Sequence, residues 1–164
     1  DKGQTKIMVI GIPDVPGKAA ELFKIVADAG ANIDMIVQNT PTGSDVTDAV
    51  SDIGFTLPKS DTKKVAAALE AAKADLGFRV VEVDEEIGKL SVVGAGMRTH
   101  SGVSATLFAA LAKAGINIEM ISTSEIRISV ITSDDQVDDA ARAVHTAFGL
   151  DSEIEAVVYA GTGR

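Results

Sequence analysis

Residues 17–36, GKAAELFKIVADAGANIDMI, recur as residues 102–121, GVSATLFAALAKAGINIEMI. The two stretches align without gaps at a constant offset of 85 and are identical at 11 of 20 positions. The shared residues include Leu22 and Leu107, Phe23 and Phe108, Gly30 and Gly115, and Asn32 and Asn117. A repeat of this length marks a duplicated structural unit rather than a local motif. Upstream, Ile10-Gly11 matches Val93-Gly94 at an offset of 83, so the intervening loop is two residues longer in the second copy.

Each copy reads as the same series of elements. Residues 6–12 form a short apolar run rich in β-branched residues, and it ends in the loop Pro13-Asp14-Val15-Pro16-Gly17. Residues 18–29 place Leu22, Val26 and Ala29, with Phe23 and Ala27, on one helical stripe, and Gly30 follows as a natural stop. Residues 32–39 alternate as a strand through Ile33, Met35 and Val37, and a turn-rich linker leads to a third strand at 50–57. Ser60 or Asp61 is placed to cap a second helix carrying Val65, Leu69, Ala72 and Leu76, before a fourth strand at 78–83. The second copy repeats strand 89–95, helix 102–114, strands 117–122 and 126–132, helix 134–148 and strand 154–159. There Ser133 and Gln136 have the spacing of a capping box.

The order βαββαβ, twice, predicts an α+β protein of two tandem ferredoxin-like modules, 1–84 and 85–164. Each is a four-stranded antiparallel sheet with helices on one face. Only 84–88 separates the fourth strand from the fifth, and so short a link favours a hairpin. A hairpin predicts that the modules exchange their last strands, with 78–83 serving the second module and 154–159 completing the first. Contiguous modules are the alternative.

Composition narrows the function. The 164 residues are 46% hydrophobic but only 4% aromatic, so the core is aliphatic. Fifteen Lys and Arg against 24 Asp and Glu leave a net charge of −9, which argues against nucleic acid and anionic membrane surfaces. The absence of cysteine excludes a disulfide scaffold, a thiol nucleophile and a cysteine-based zinc site. No apolar run is long enough to span a bilayer, and residues 1–6 lack a signal-peptide pattern, so the cytoplasm is the expected compartment. A first strand so close to residue 1 suits a subunit or a fragment of a longer polypeptide.

The loop at 12–17 is the most informative local feature. It joins a strand to the start of a helix, whose free N–H groups suit a carboxylate. Asp14 beside them would receive an ammonium, so the pair would clamp the charged ends of a free amino acid; alternatively, Asp14 caps the helix. In the second copy Thr99-His100-Ser101-Gly102 stands at this place without the Asp. Asn32 and Asn117 open their strands either as turn residues or as a backbone edge for a ligand. Gln38 is polar where the alternation continues, facing outward or reading a ligand's side chain. Gly94-Ala95-Gly96 lacks the third glycine of a dinucleotide loop. His100 and His145 have no second ligand at metal spacing, and the acidic runs 84–86 and 134–135 suit turns and helix starts.

The Asp-x-Pro-Gly loop before the first helix of a βαββαβ unit resembles that of an ACT domain. Two such units, together with Val93-Gly94-Ala95-Gly96-Met97, residues 117–130 (NIEMISTSEIRISV) and the ending AVVYAGTGR, resemble the regulatory part of aspartokinase over essentially the whole chain. The resemblance implies an allosteric subunit that binds end-product amino acids, threonine and/or lysine, and mediates feedback inhibition of the pathway to lysine, threonine and methionine. It implies a threonine-type site at Asp14, Gly17, Ala19 and Gln38, with Asn117 and Ile118 approaching from a second module of a partner chain. A lysine-type site would use Met97, Thr99, His100 and Val103, and Ser124 lies in a segment sensitive to feedback-releasing changes. The implied partners are a second copy and the catalytic α subunit. ATP and Mg are expected only on that absent catalytic domain, and no catalysis is expected from this chain alone. The linker at 40–50 is longer than in close relatives. The alternative reading is a stand-alone ACT-type sensor that regulates a different enzyme.

Overall fold

A computed structural model describes residues 1–40, 49–94, 102–149 and, for the backbone alone, 157–159. The chain divides into two compact units, Gln4–Glu85 and Glu86–Arg164, with Asp1–Gly3 clustering with the latter.

In the first module, β1 (Gln4–Pro13) leads to α1 (Lys18–Asp28) and then to β2 (Ile36–Asn39) and β3 (Val50–Pro58). A 3₁₀ turn, Lys59–Asp61, opens α2 (Thr62–Ala71), which α3 (Lys73–Leu76) extends, and β4 (Val80–Asp84) closes the unit. The sheet order is β2-β3-β1-β4, and all three pairings are antiparallel. The apolar stripes expected on the helices do the packing. Leu22 and Val26 of α1, Val65 and Leu69 of α2, and Leu76 of α3 bury against Ile7, Val9, Ile53, Phe55 and Leu57 of the sheet. Phe23 meets Phe55 edge to face at 5.9 Å, the arrangement ring quadrupoles favour.

β1 carries a bulge. Val9 pairs with Ile53, but the next pairing is Ile12 with Ser51, so β1 holds one more residue than β3 between them. Gly11 takes a left-handed φ of 74° there, and its N–H donates to Asp52 Oδ1 at 3.0 Å. The extra residue lets Val9 and Ile12, three apart in sequence, both bury their side chains.

The second module repeats the plan with β5 (Ile87–Val93), α4 (Val103–Lys113), β6 (Met120–Thr123), β7 (Arg127–Ser133), α5 (Val137–Phe148) and β8 (Val157–Tyr159). Its order is β6-β7-β5-β8. Leu107 and Leu111 of α4 and Ala140, Val144 and Phe148 of α5 cover Leu90, Val92, Ile128 and Val130. Helix α5 sits so close to the sheet at Gly88 that any Cβ there would lie 2.5 Å from Val137 Cβ.

The predicted exchange of last strands does not occur. β4 pairs with β1, from Lys6 and Asp84 to Ile10 and Val80, while Val157–Tyr159 pairs with β5. β4 is hydrogen-bonded to β1, and β5 to β7 on one edge and β8 on the other, so β4 and β5 form no hairpin. A short link limits distance but does not choose the neighbour. Two caps also differ from expectation. Asp61 stands at the N-cap of α2 without a capping bond, and its carboxylate instead pairs with Lys64 at 2.8 Å. Ser133 donates to Asp135 Oδ1 at 2.6 Å and lies 3.2 Å from Gln136 Oε1, so no capping box forms and α5 starts only at Val137. β2 is shorter than its alternation predicts. Residues 32–35 are not strand, although Asp34 N–H and Met35 C=O still bond to the Thr56 backbone.

Candidate functional site

The end of the first sheet opens into a cavity of about 300 Å³ where β1 passes into α1. Its mouth is the loop 13–17. The loop is pinned by its backbone: Asp14 N–H donates to Ala49 C=O at 2.9 Å, and Val15 N–H to Pro13 C=O at 3.0 Å. Gly17 then takes φ 95°, ψ −17°, a left-handed conformation that bends the chain into the helix without a side-chain cap. Nothing lies within 4 Å of a Cβ built on Gly17, so it is the backbone angle and not crowding that calls for glycine.

The first helical bond is Glu21 N–H to Gly17 C=O at 3.0 Å. The N–H groups of Ala19 and Ala20 therefore start the helix with no intrahelical acceptor, and the positive end of the helix dipole opens at the cavity. Asp14 is exposed at the mouth and does not cap α1, which has no side-chain cap bond. The helix-capping alternative for Asp14 is therefore not realised.

The floor is set by sheet register. Ile12 is opposite Ser51 across β1 and β3, and Gln38 is opposite Ile53 across β2 and β3. Gln38 and Ser51 are thus diagonal neighbours, and Gln38 Nε2 donates to Ser51 Oγ at 3.4 Å. Ile12 and Ile53 are buried and give the floor its apolar part. Lys18 turns away along the helix, with Nζ on Asp75 C=O at 2.9 Å and Glu21 Oε2 at 3.5 Å.

Asp14, Gly17, Ala19 and Gln38, four of the residues singled out in the sequence, line this one cavity. Ser51 was missed. The signal was present: along β3 the inward positions Ser51, Ile53, Phe55 and Leu57 include one polar residue. Asn117 and Ile118 lie in the second module between α4 and β6, Asn117 exposed and Ile118 packed on that module's core. Val103 is the first residue of α4 and is buried, while Met97, Thr99 and His100 lie outside the described residues. Ser124 is exposed in the turn between β6 and β7, where its N–H donates to Arg127 C=O at 2.7 Å and its hydroxyl accepts from Ile126 N–H at 3.4 Å. Among the described residues no three His, Asp or Glu are grouped to hold a metal, and no helix is long and apolar enough to cross a membrane.

A strand, an open loop and an uncapped helix start, occurring in a twice-repeated βαββαβ unit, define the class of protein. Residues 6–77 and 90–148 each match a family model described as an ACT domain. The chain is 42% identical to a chain in the crystal structure of aspartokinase alpha and beta subunits, covering 92% of this chain and 95% of that one with a TM-score of 0.83. It is 40% identical to the ligand-free regulatory subunit of aspartate kinase from Thermus thermophilus, covering 90% and 94% with a TM-score of 0.82. Over its whole length it is 52% identical to the aspartokinase of Mycolicibacterium smegmatis, of which it spans 38%. The chain belongs to the aspartokinase family, as a tandem pair of regulatory ACT domains.

Proposed function

We propose that the chain is the amino-acid-sensing, allosteric part of an aspartate kinase. End-product amino acids, threonine and/or lysine, bind its ACT modules and mediate feedback inhibition of a catalytic α subunit that carries ATP and Mg. The observation that carries this reading is the convergence of Asp14, the uncapped start of α1 and Gln38 on one cavity. A carboxylate and a run of free N–H groups are the complements of an ammonium and a carboxylate. A volume of about 300 Å³ accommodates a free amino acid with bound water.

In this reading the chain works as a homodimer, and Asn117 and Ile118 of a second copy close the ligand from the other side. Binding shifts the conformational equilibrium by its differential affinity for the two states. The likeness to a chain of an alpha and beta subunit assembly supports a catalytic partner. Calorimetric titration with threonine and with lysine tests the reading, together with inhibition of a co-purified catalytic chain. Saturable heat with at least one of them, and inhibition that depends on this chain, are expected. No heat and no thermal shift with either at millimolar concentration overturns it.

A further inference from the structure

Residues 1–3 run directly into β1 of the first module, yet they pack with the second. The Asp1 nitrogen donates to Lys89 C=O at 2.7 Å, and Lys89 N–H donates back to Asp1 C=O at 2.7 Å. Reciprocal bonds of this kind are those of an antiparallel strand pair. One edge of β5 is taken by β7, so Asp1 lies on the other edge, where β8 pairs Tyr159 with Ser91 and Val157 with Val93. Asp1 is only 5% exposed there. Its Oδ1 accepts from Gly3 N–H at 2.7 Å, an Asx turn that ends the extended stretch at once. Between these two residues, Lys2 reaches Asp138 Oδ2 in the first turn of α5, with Nζ at 3.0 Å.

The two fastenings flank one point. Gly88 lies against Val137 where α5 comes closest enough to β5 to leave no room for a Cβ. Lys89 follows Gly88 and Asp138 follows Val137 in the chain. On the other flank, Asp134 N–H donates to Glu86 C=O at 3.0 Å. The junction is thus tied before the contact by the module's own backbone and after it by residues 1–3. The two fastenings are unequal. An exposed ion pair contributes little by itself, whereas a buried pair of backbone bonds holds more firmly. Asp1 is the anchor, and Lys2 is the arm that reaches the helix.

We infer that residues 1–3 are a strap that fastens the first turn of α5 onto β5, a conformational device that makes the helix–sheet junction of the second module depend on the segment leading into the first. Gln4 opens β1 with no spacer after Gly3, so a displacement at the start of β1 pulls on the strap. Its release frees the start of α5, while Val144 and Phe148 further along stay packed on the sheet core.

Amide hydrogen exchange of the whole chain, read residue by residue by NMR, tests this. Lys89 N–H reports on the anchor. Ala140 N–H, bonded to Gln136 C=O at 2.9 Å, reports on the first turn of α5. Ile7 N–H, in the middle of β1, reports on the first module. Deleting residues 1–3 is expected to speed exchange about tenfold or more at both Lys89 and Ala140, and to leave Ile7 within about threefold of wild type. Acceleration at Lys89 alone overturns the inference, because the segment then completes a ladder without holding the helix. No acceleration at Lys89 overturns it as well. Should the deletion disturb Ile7, Lys2→Glu decides, since it sets a like charge against Asp138 and leaves the backbone pair in place. This variant is expected to speed Ala140 about two- to fivefold with Lys89 still slow. Unchanged exchange at Ala140 in the folded Lys2→Glu protein overturns the strap.

Discussion

Ile12 and Ser51 face each other across the β1–β3 ladder only because β1 carries one residue more than β3 after the Val9–Ile53 pair. Without the bulge, alternation would turn Ile12 to the opposite face and carry the loop 13–17 off the end of the sheet at a different angle. Among the described residues the bulge is held by one side-chain acceptor, Asp52 Oδ1 on Gly11 N–H at 3.0 Å. Asp52→Ala is therefore expected to cost about 1–2 kcal/mol in denaturant unfolding and to weaken amino-acid binding severalfold, although Asp52 does not line the cavity. Unchanged affinity in a destabilised variant would show that the bulge matters to the fold alone.

Asp14 separates binding from folding. Its backbone N–H, not its side chain, ties the loop to Ala49. Asp14→Ala is expected to leave the melting temperature within about a degree of wild type while weakening binding about ten- to a hundredfold, the loss of one charge-assisted contact. Calorimetry alongside a thermal melt measures both quantities on one sample. Equal affinity would remove the carboxylate from the site.

Gly88 and Val137 mark a close approach of helix to sheet in the second module. An added methyl would meet Val137 Cβ at 2.5 Å and both its γ-carbons at 2.9 Å. The Cβ of a helical residue cannot rotate aside, so α5 must shift. Gly88→Ala is expected to destabilise by about 1–3 kcal/mol. Adding Val137→Ala should offset only part of this, since the Cβ contact persists. Chemical denaturation of the single and double variants gives the comparison.

The exposed carboxylate of Asp138 is held below its ordinary value of 3.8, first by a hydrogen bond from Lys2 and then by that ammonium's charge. The Lys2 Nζ to Asp138 Oδ2 distance is 3.0 Å. A carboxyl group with a depressed folded-state pKa favours the folded state above its unfolded value, and the benefit disappears as pH falls through the folded value. Any contribution of this pair is thus complete near neutrality and lost in acid. Lys2→Ala is expected to move the Asp138 titration midpoint upward in an NMR pH series, with no visible effect at pH 7 beyond that of a surface pair.

The fold was legible in the sequence because the duplication doubled every signal. Leu22, Phe23 and Gly30 recur as Leu107, Phe108 and Gly115, and chance does not repeat a helical stripe with its stop. Strand partners were less legible. β4 is an edge strand whose residues Val80, Glu82 and Val83 are exposed, so its alternation says little about which sheet it joins. Link length filled that gap with the wrong answer. The loop and Gln38 were readable as a candidate site because each breaks a pattern: an open turn before a helix and a polar residue in an apolar run. The bulge at Gly11 was not, since its effect is a change of register that appears only when β3 is laid beside β1. Ser51 was overlooked for a different reason: its alternation with Ile53, Phe55 and Leu57 already marks it as inward, but a lone small polar residue at the start of an apolar strand draws little notice.

Each module closes its sheet with a strand of its own, β4 on β1 and β8 on β5. A duplicated gene segment that folds this way leaves two copies free to drift apart. A change in the loop of one need not be matched by a compensating change in the ladder of the other. Divergence can therefore gather in the loops and spare the packing, which is the pattern of the sequence: Asp14 in one copy and Thr99-His100 in the other, over helices that keep Leu22 and Phe23 as Leu107 and Phe108. On the proposed function, selectivity can then evolve one effector at a time, each by a few substitutions confined to a single stretch of chain.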